Sequence, residues 1–97
     1  MFTTTVYLGA DIPDAGEVNA AMFSDFLKNV VQKHLTGFTL TDGYGCWNGN
    51  YEKVRILTII SEELLDEVLT IAEEYKKQFR QECVLVNVVE NHAFSLV

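Results

Sequence analysis

Basic residues are scarce in this chain: 7 Lys and Arg stand against 14 Asp and Glu, for a formal net charge of −7. A surface that grips phosphates needs clustered cations, so nucleic acid is excluded as a partner. Cysteine is scarce too. Cys46 and Cys83 are the only two, and they fit no metal-ligand spacing, so no metal site is expected. No apolar run is long enough to cross a bilayer, which leaves the membrane out, and no charged-then-apolar leader is visible. Two reduced thiols then suit the cytoplasm.

What the chain has in quantity is apolar surface. Of its 97 residues, 48% are apolar or aromatic, more than a small monomer easily hides. The length fits one domain over residues 1–97. The acidic balance favours a cationic ligand through long-range attraction.

The stretch Gly37–Ser61 organises the rest. It reads as two β-runs, Phe38–Asp42 and Glu52–Ile60, joined by a loop, Gly43–Tyr51, rich in glycine, asparagine and large aromatics. Glycine and asparagine supply the positive φ angles a connection between paired strands needs. Tyr44, Trp47 and Tyr51 are more than a plain turn requires. They either cap the end of the core or face a ligand or another subunit.

Around this stretch the chain alternates in period. Phe2–Ala10 is β-branched and aromatic, with Phe2, Thr4, Val6 and Leu8 on one face. Asp14 with Glu17 forms a candidate capping box for a helix over Val18–Leu35, where Met22, Phe23, Phe26, Leu27, Val30 and Val31 recur at helical spacing. His34 falls in its last turn, where positive charge suits the helix dipole. Ser61 is a candidate N-cap for a second helix, with Glu62 and Glu63 in the first turn and Lys76, Lys77 and Arg80 at the far end. Glu82–Val89 is a dense β-run, and His92–Val97 a short final strand.

This order is the split βαβ, or ferredoxin-like, plan: an α+β sandwich of a four-stranded antiparallel sheet with two helices on one face. The strands are nevertheless apolar on both faces. Ile56 and Ile60 alternate with Leu57 and Ile59, and Val84, Val86 and Val88 with Cys83, Leu85 and Val89. A water-facing side should be polar, so the second face is expected to be buried against other copies, in a closed homotrimer with clefts between subunits.

The C-terminal half resembles a known family. Gln81-Glu82-Cys83-Val84-Leu85-Val86, then His92, then Leu96-Val97, is similar to the phage-encoded S-adenosylmethionine lyases, formerly called hydrolases. Gly45-Cys46-Trp47 followed by Glu52-Lys53-Val54-Arg55 matches the same family in order. The resemblance implies a PII-like trimer with substrate between subunits. It implies cleavage of S-adenosylmethionine to 5′-methylthioadenosine and homoserine lactone by attack of the substrate's own carboxylate, without cofactor, as a phage counter to host restriction. It further implies a catalytic set of Tyr44, Glu52 and Glu82, with Glu52 accepting the Tyr44 hydroxyl, and substrate contacts from Trp47, Tyr51 and His92. The family tyrosine directly follows Gly-Cys, a position held here by Trp47, so Tyr44, Trp47 and Tyr51 all compete for its role. Gly43-Tyr44-Gly45 with Trp47, and Phe79 to Leu85, also resemble an uncharacterised bacterial family of small ferredoxin-like proteins with no assigned activity. That second likeness implies a non-enzymatic, PII-like binding or regulatory module. The plainer readings are a solvent-facing strand start for Glu52, a surface ion pair with Arg80 or Lys53 for Glu82, backbone orientation near the C-terminus for His92, and small core residues for the two cysteines.

Overall fold

A computed structural model describes residues 1–97. Four strands, β1 (Phe2–Gly9), β2 (Thr39–Trp47), β3 (Asn50–Ser61) and β4 (Leu85–Glu90), form one antiparallel sheet in the order β2-β3-β1-β4. This is the ferredoxin-like arrangement expected from the period changes along the chain. The first helix runs Ala20–Phe26, passes through a π-helical segment Leu27–Val31, and ends with Gln32–His34. The second helix is Asp66–Gln78.

Both helices pack on one sheet face. Thr4, Val6 and Leu8 of β1 and Leu57 and Ile59 of β3 point into it. Phe23, Phe26 and Val31 come from the first helix, and Val68, Ile71, Tyr75 and Phe79 from the second helix and its end. Phe26 meets the Tyr75 ring edge-on at 5.1 Å between centroids, a favourable aromatic geometry. One charge is buried among them. The Arg55 guanidinium donates to the Val18 carbonyl at 2.6 Å and lies 4.7 Å from the Phe23 ring centroid, so its charge is met by a carbonyl and a π-face.

Six local expectations are corrected. The Gly43–Tyr51 loop is strand almost throughout. β2 and β3 pair from Thr39↔Thr58 to Trp47↔Asn50 and turn only at Asn48-Gly49. Both turn residues have positive φ (52° and 80°), the signature of a two-residue type I′ hairpin. Asp14 does not cap the first helix. Asn19 does, its Oδ1 accepting the Met22 N–H at 2.9 Å, while Asp14 sits in a tight loop at φ 59°. Ser61 is not an N-cap either. It is still paired with Phe2, its hydroxyl donates to the Glu63 carbonyl, and the second helix begins at Asp66. β4 starts at Leu85, so Glu82 and Cys83 precede it, and His92–Val97 is not a strand. Cys46 and Cys83 are exposed rather than core residues.

The other sheet face carries no helix. Register assigns it Thr3, Thr5, Tyr7 and Gly9 of β1, Thr39, Thr41, Gly43, Gly45 and Trp47 of β2, Glu52 to Ile60 at alternate positions of β3, and Leu85, Asn87 and Val89 of β4. Ile60, Leu85 and Val89 remain about half exposed on it. Beyond Gly9↔Val54 the β2–β3 hairpin has no third strand, so its aromatic end projects past the sheet.

Candidate functional site

At the end of the sheet where β1 finishes, three segments converge. β1 leads into a loop whose chain doubles back: the Ile12 N–H reaches the Gly16 carbonyl, and the Val18 N–H reaches the Ala10 carbonyl. The hairpin brings Trp47, Asn50 and Glu52 from one side. The link between the second helix and β4 brings Gln81 and Glu82 from the other. They line an open cleft of about 450 Å³ together with Asp11 and Pro13. Its lining holds three carboxylates and an indole but no basic side chain.

Each wall has a local cause. The Trp47 ring lies over Gly45, where a Cβ would come within 2.9 Å of the indole Nε1; a larger residue at that position would displace the ring. The Glu52 carboxylate accepts the Asp11 backbone N–H at 3.1 Å. Gln81 donates through Nε2 to the Asp11 carbonyl at 2.8 Å and to the Phe79 carbonyl at 3.0 Å, and the Arg80 guanidinium donates to the Pro13 carbonyl. Arg80 holds φ 51°, a left-handed conformation that costs a non-glycine residue about 1–3 kcal/mol and persists where surrounding contacts fix it. These contacts fasten the Gln81–Glu82 segment to the Asp11–Pro13 loop. Behind the wall, the Tyr75 hydroxyl donates to the Gly9 carbonyl at 2.6 Å. Burial holds this phenol well above its ordinary range, with Arg55 pulling it down and Glu52 pushing it up.

The cleft therefore gathers Trp47, Glu52 and Glu82 of the expected set and adds Asp11, Asn50 and Gln81. It leaves out Tyr44, Tyr51 and His92. Glu52 is paired with Gly45, so Tyr44, one residue along, points from the opposite face of the hairpin; Tyr51 shares the Tyr44 side. The expected Tyr44–Glu52 hydrogen bond is not formed within the chain, and both tyrosines are nearly four-fifths exposed. His92 follows Glu90, which pairs with Phe2 at the other end of β1, so the sheet's length separates His92 from the cleft. No surface ion pair holds Glu82 to Arg80, whose guanidinium is turned to the Pro13 carbonyl. Nothing local in the sequence marks Asp11, which acts through its peptide N–H and carbonyl, and Gln81 stood in the resembling run without a role, its side-chain amide reaching the Asp11 carbonyl across the fold.

Chemically, carboxylates without partner cations beside an indole attract a cation that carries a flat ring. The fold and the cleft thus define a ferredoxin-like protein with an acidic, aromatic-walled cleft. The chain belongs to the family described as "Protein of unknown function (DUF3574)", which it matches over residues 3–94. No curated protein sequence matches it. Among solved structures it is similar to a phage SAM lyase in the apo state, with a TM-score of 0.68 and 21% identity over 91% of this chain and 78% of that one. It is also similar to a phage SAM lyase in complex with S-methyl-5′-thioadenosine, with a TM-score of 0.65 and 21% identity over 92% of this chain and 80% of that one. These similarities show that this chain shares the fold of the phage enzymes.

Proposed function

We propose that this protein cleaves S-adenosylmethionine as a lyase. The observation that carries the reading is the convergence of Trp47, Glu52 and Glu82 in one base-free cleft on the fold shared with the phage SAM lyases. The sulfonium and ammonium of the substrate are the cations such a lining attracts, and the indole offers adenine a stacking face. Glu52 and Glu82 hold the positive end. The substrate's carboxylate then attacks its own γ-carbon, the bond from that carbon to sulfur breaks, and the pair of electrons leaves with sulfur as neutral methylthioadenosine. The other product is homoserine lactone. Opposite charges vanish as the new bond forms, so a folded substrate in a water-poor site suffices, with no proton transfer.

The reading includes a homotrimer. Half-exposed Ile60, Leu85 and Val89 on the helix-free face support burial against partner copies, as do the exposed aromatics of the projecting hairpin. Tyr44, Tyr51 and His92, which lie outside the cleft of their own chain, then contribute to the cleft of a neighbour. The setting is the cytoplasm of a phage-infected host, where removing S-adenosylmethionine counters restriction and methylation.

One observation favours a second reading, a ligand-binding module without turnover: Tyr44 and Glu52 stand on opposite faces of their hairpin. Incubating the purified protein with S-adenosylmethionine and following methylthioadenosine by chromatography separates the two. Release of methylthioadenosine is expected from the lyase; binding by calorimetry without release supports the module.

A further inference from the structure

We propose that Gly9 and the Asp11 peptide are the seat that aims the Glu52 carboxylate, and that the missing side chain at Gly9 is what makes the seat. Gly9 and Glu52 share the helix-free face. A Cβ on Gly9 would stand 2.9 Å from both Glu52 carboxylate oxygens and 3.0 Å from their carbon. The carboxylate therefore lies flat against the backbone at the end of β1. The Asp11 N–H fixes one oxygen, Oε2, at 3.1 Å, and Oε1 has no protein hydrogen bond. From the core side the Tyr75 hydroxyl holds the Gly9 carbonyl, so the peptide that makes the seat is itself anchored in the best-packed part of the molecule. The Ala10 N–H continues the ladder to the Lys53 carbonyl at 2.9 Å, which leaves the seat little freedom to slide.

The arrangement separates positioning from stability. The atoms nearest a methyl group at Gly9 all belong to the end of the flexible Glu52 side chain, which swings aside without disturbing the backbone. Gly9 and Asp11 are thus positioning residues acting through Glu52, with one carboxylate oxygen spent on orientation and the other left for a cation. This inference deepens the lyase reading and rests on it for its catalytic consequence alone.

The test uses Gly9→Ala, Glu52→Gln and the double variant Gly9→Ala/Glu52→Asp in the full chain. In wild-type protein the Asp11 amide proton, bonded to a carboxylate, resonates downfield. It moves upfield in Gly9→Ala and in Glu52→Gln, and returns part of the way in the double variant, whose shorter acid clears the methyl. Gly9→Ala keeps its melting temperature, while kcat/KM for S-adenosylmethionine falls about tenfold or more and partly recovers in the double variant. An Asp11 resonance unmoved by Glu52→Gln overturns the seat, and so does full kcat/KM in Gly9→Ala. If the wild type does not turn over S-adenosylmethionine, the lyase reading fails by itself, and the Asp11 resonance still decides the seat.

Discussion

The two faces of the sheet are built from similar residues and do different work. Leu57 and Ile59 point to the helices and are buried, while Ile56 and Ile60, their neighbours on β3, point away, with Ile60 about half exposed. The covered face is closed by Phe23, Phe26, Tyr75 and Phe79, so its apolar side chains are saturated within one chain. The helix-free face mixes apolar residues with threonines and runs into the acidic cleft at one end. Its apolar residues Ile60, Leu85 and Val89 stay about half exposed. The difference teaches that apolar character alone does not identify a core; what matters is whether the chain supplies a layer to cover it.

The largest effect expected from breaking this comparison is on chemistry. Glu82→Gln, at the cleft, lowers turnover of S-adenosylmethionine by roughly a hundredfold or more, the size expected when a charge facing a developing or discharging centre is removed. Its melting temperature stays near wild type, because Glu82 is exposed and makes no packing contact the core depends on. Steady-state kinetics and a thermal melt read both; near-normal turnover makes Glu82 only a surface acid.

Next come the two faces themselves. Leu57→Ala, on the covered face, costs about 2–5 kcal/mol in chemical denaturation, as a large core side chain does when its cavity cannot close. Leu85→Asp with Val89→Asp, on the helix-free face, leaves the circular dichroism spectrum intact and converts the proposed trimer to monomer. Analytical ultracentrifugation at micromolar concentration reads this. A wild-type monomer sinks the intersubunit part of the proposal.

The pairing of faces was legible in the sequence because period-2 alternation survives wherever strands are regular. Phe2–Ala10 shows it, with Val6 and Leu8 buried on the one face the alternation gives them. In the Glu52–Ile60 run Leu57 and Ile59 share the side opposite Ile56 and Ile60, though both sides are apolar and the alternation does not say which is covered. The hairpin was not legible beyond its turn. Gly43 and Gly45 lower β-propensity, and what keeps them in a strand is the ladder with β3, where Gly43 pairs with Val54 and Gly45 with Glu52. The second helix starts late because Ser61 stays in the ladder with Phe2, so sheet pairing overrides the helix-favouring Glu62 and Glu63. Of the residues lining the cleft, Trp47, Glu52 and Glu82 had been singled out by resemblance. Gln81 stood only as the head of the resembling run, with no role attached, and Asp11 was not marked at all, since its contributions are peptide groups bonded across the fold. His92 lies away from its own chain's cleft because β4 runs antiparallel to β1 and ends beside Phe2.

A smaller effect sharpens the link between core and cleft through Tyr75. Its phenol titrates above its ordinary value in the folded protein, chiefly because it is buried. Unfolded, it loses its proton near pH 10. Stability from this group is therefore complete below about pH 10 and declines as pH rises from there towards the folded value, since the unfolded chain then binds fewer protons than the folded one. Denaturation midpoints measured upward from pH 9 show the decline. Tyr75→Phe flattens that part of the profile and, at neutral pH, costs about 0.5–1.5 kcal/mol for the hydrogen bond to Gly9.

The central claim is that the cleft holds S-adenosylmethionine for attack by its own carboxylate. Proton NMR during turnover, below neutral pH to slow lactone opening, tests it most directly. Methylthioadenosine and homoserine lactone should rise together, with homoserine appearing only afterwards. Homoserine formed first, carrying oxygen-18 from labelled water at its γ-carbon, would make water the nucleophile and contradict the lyase account, and so would S-adenosylmethionine that stays intact.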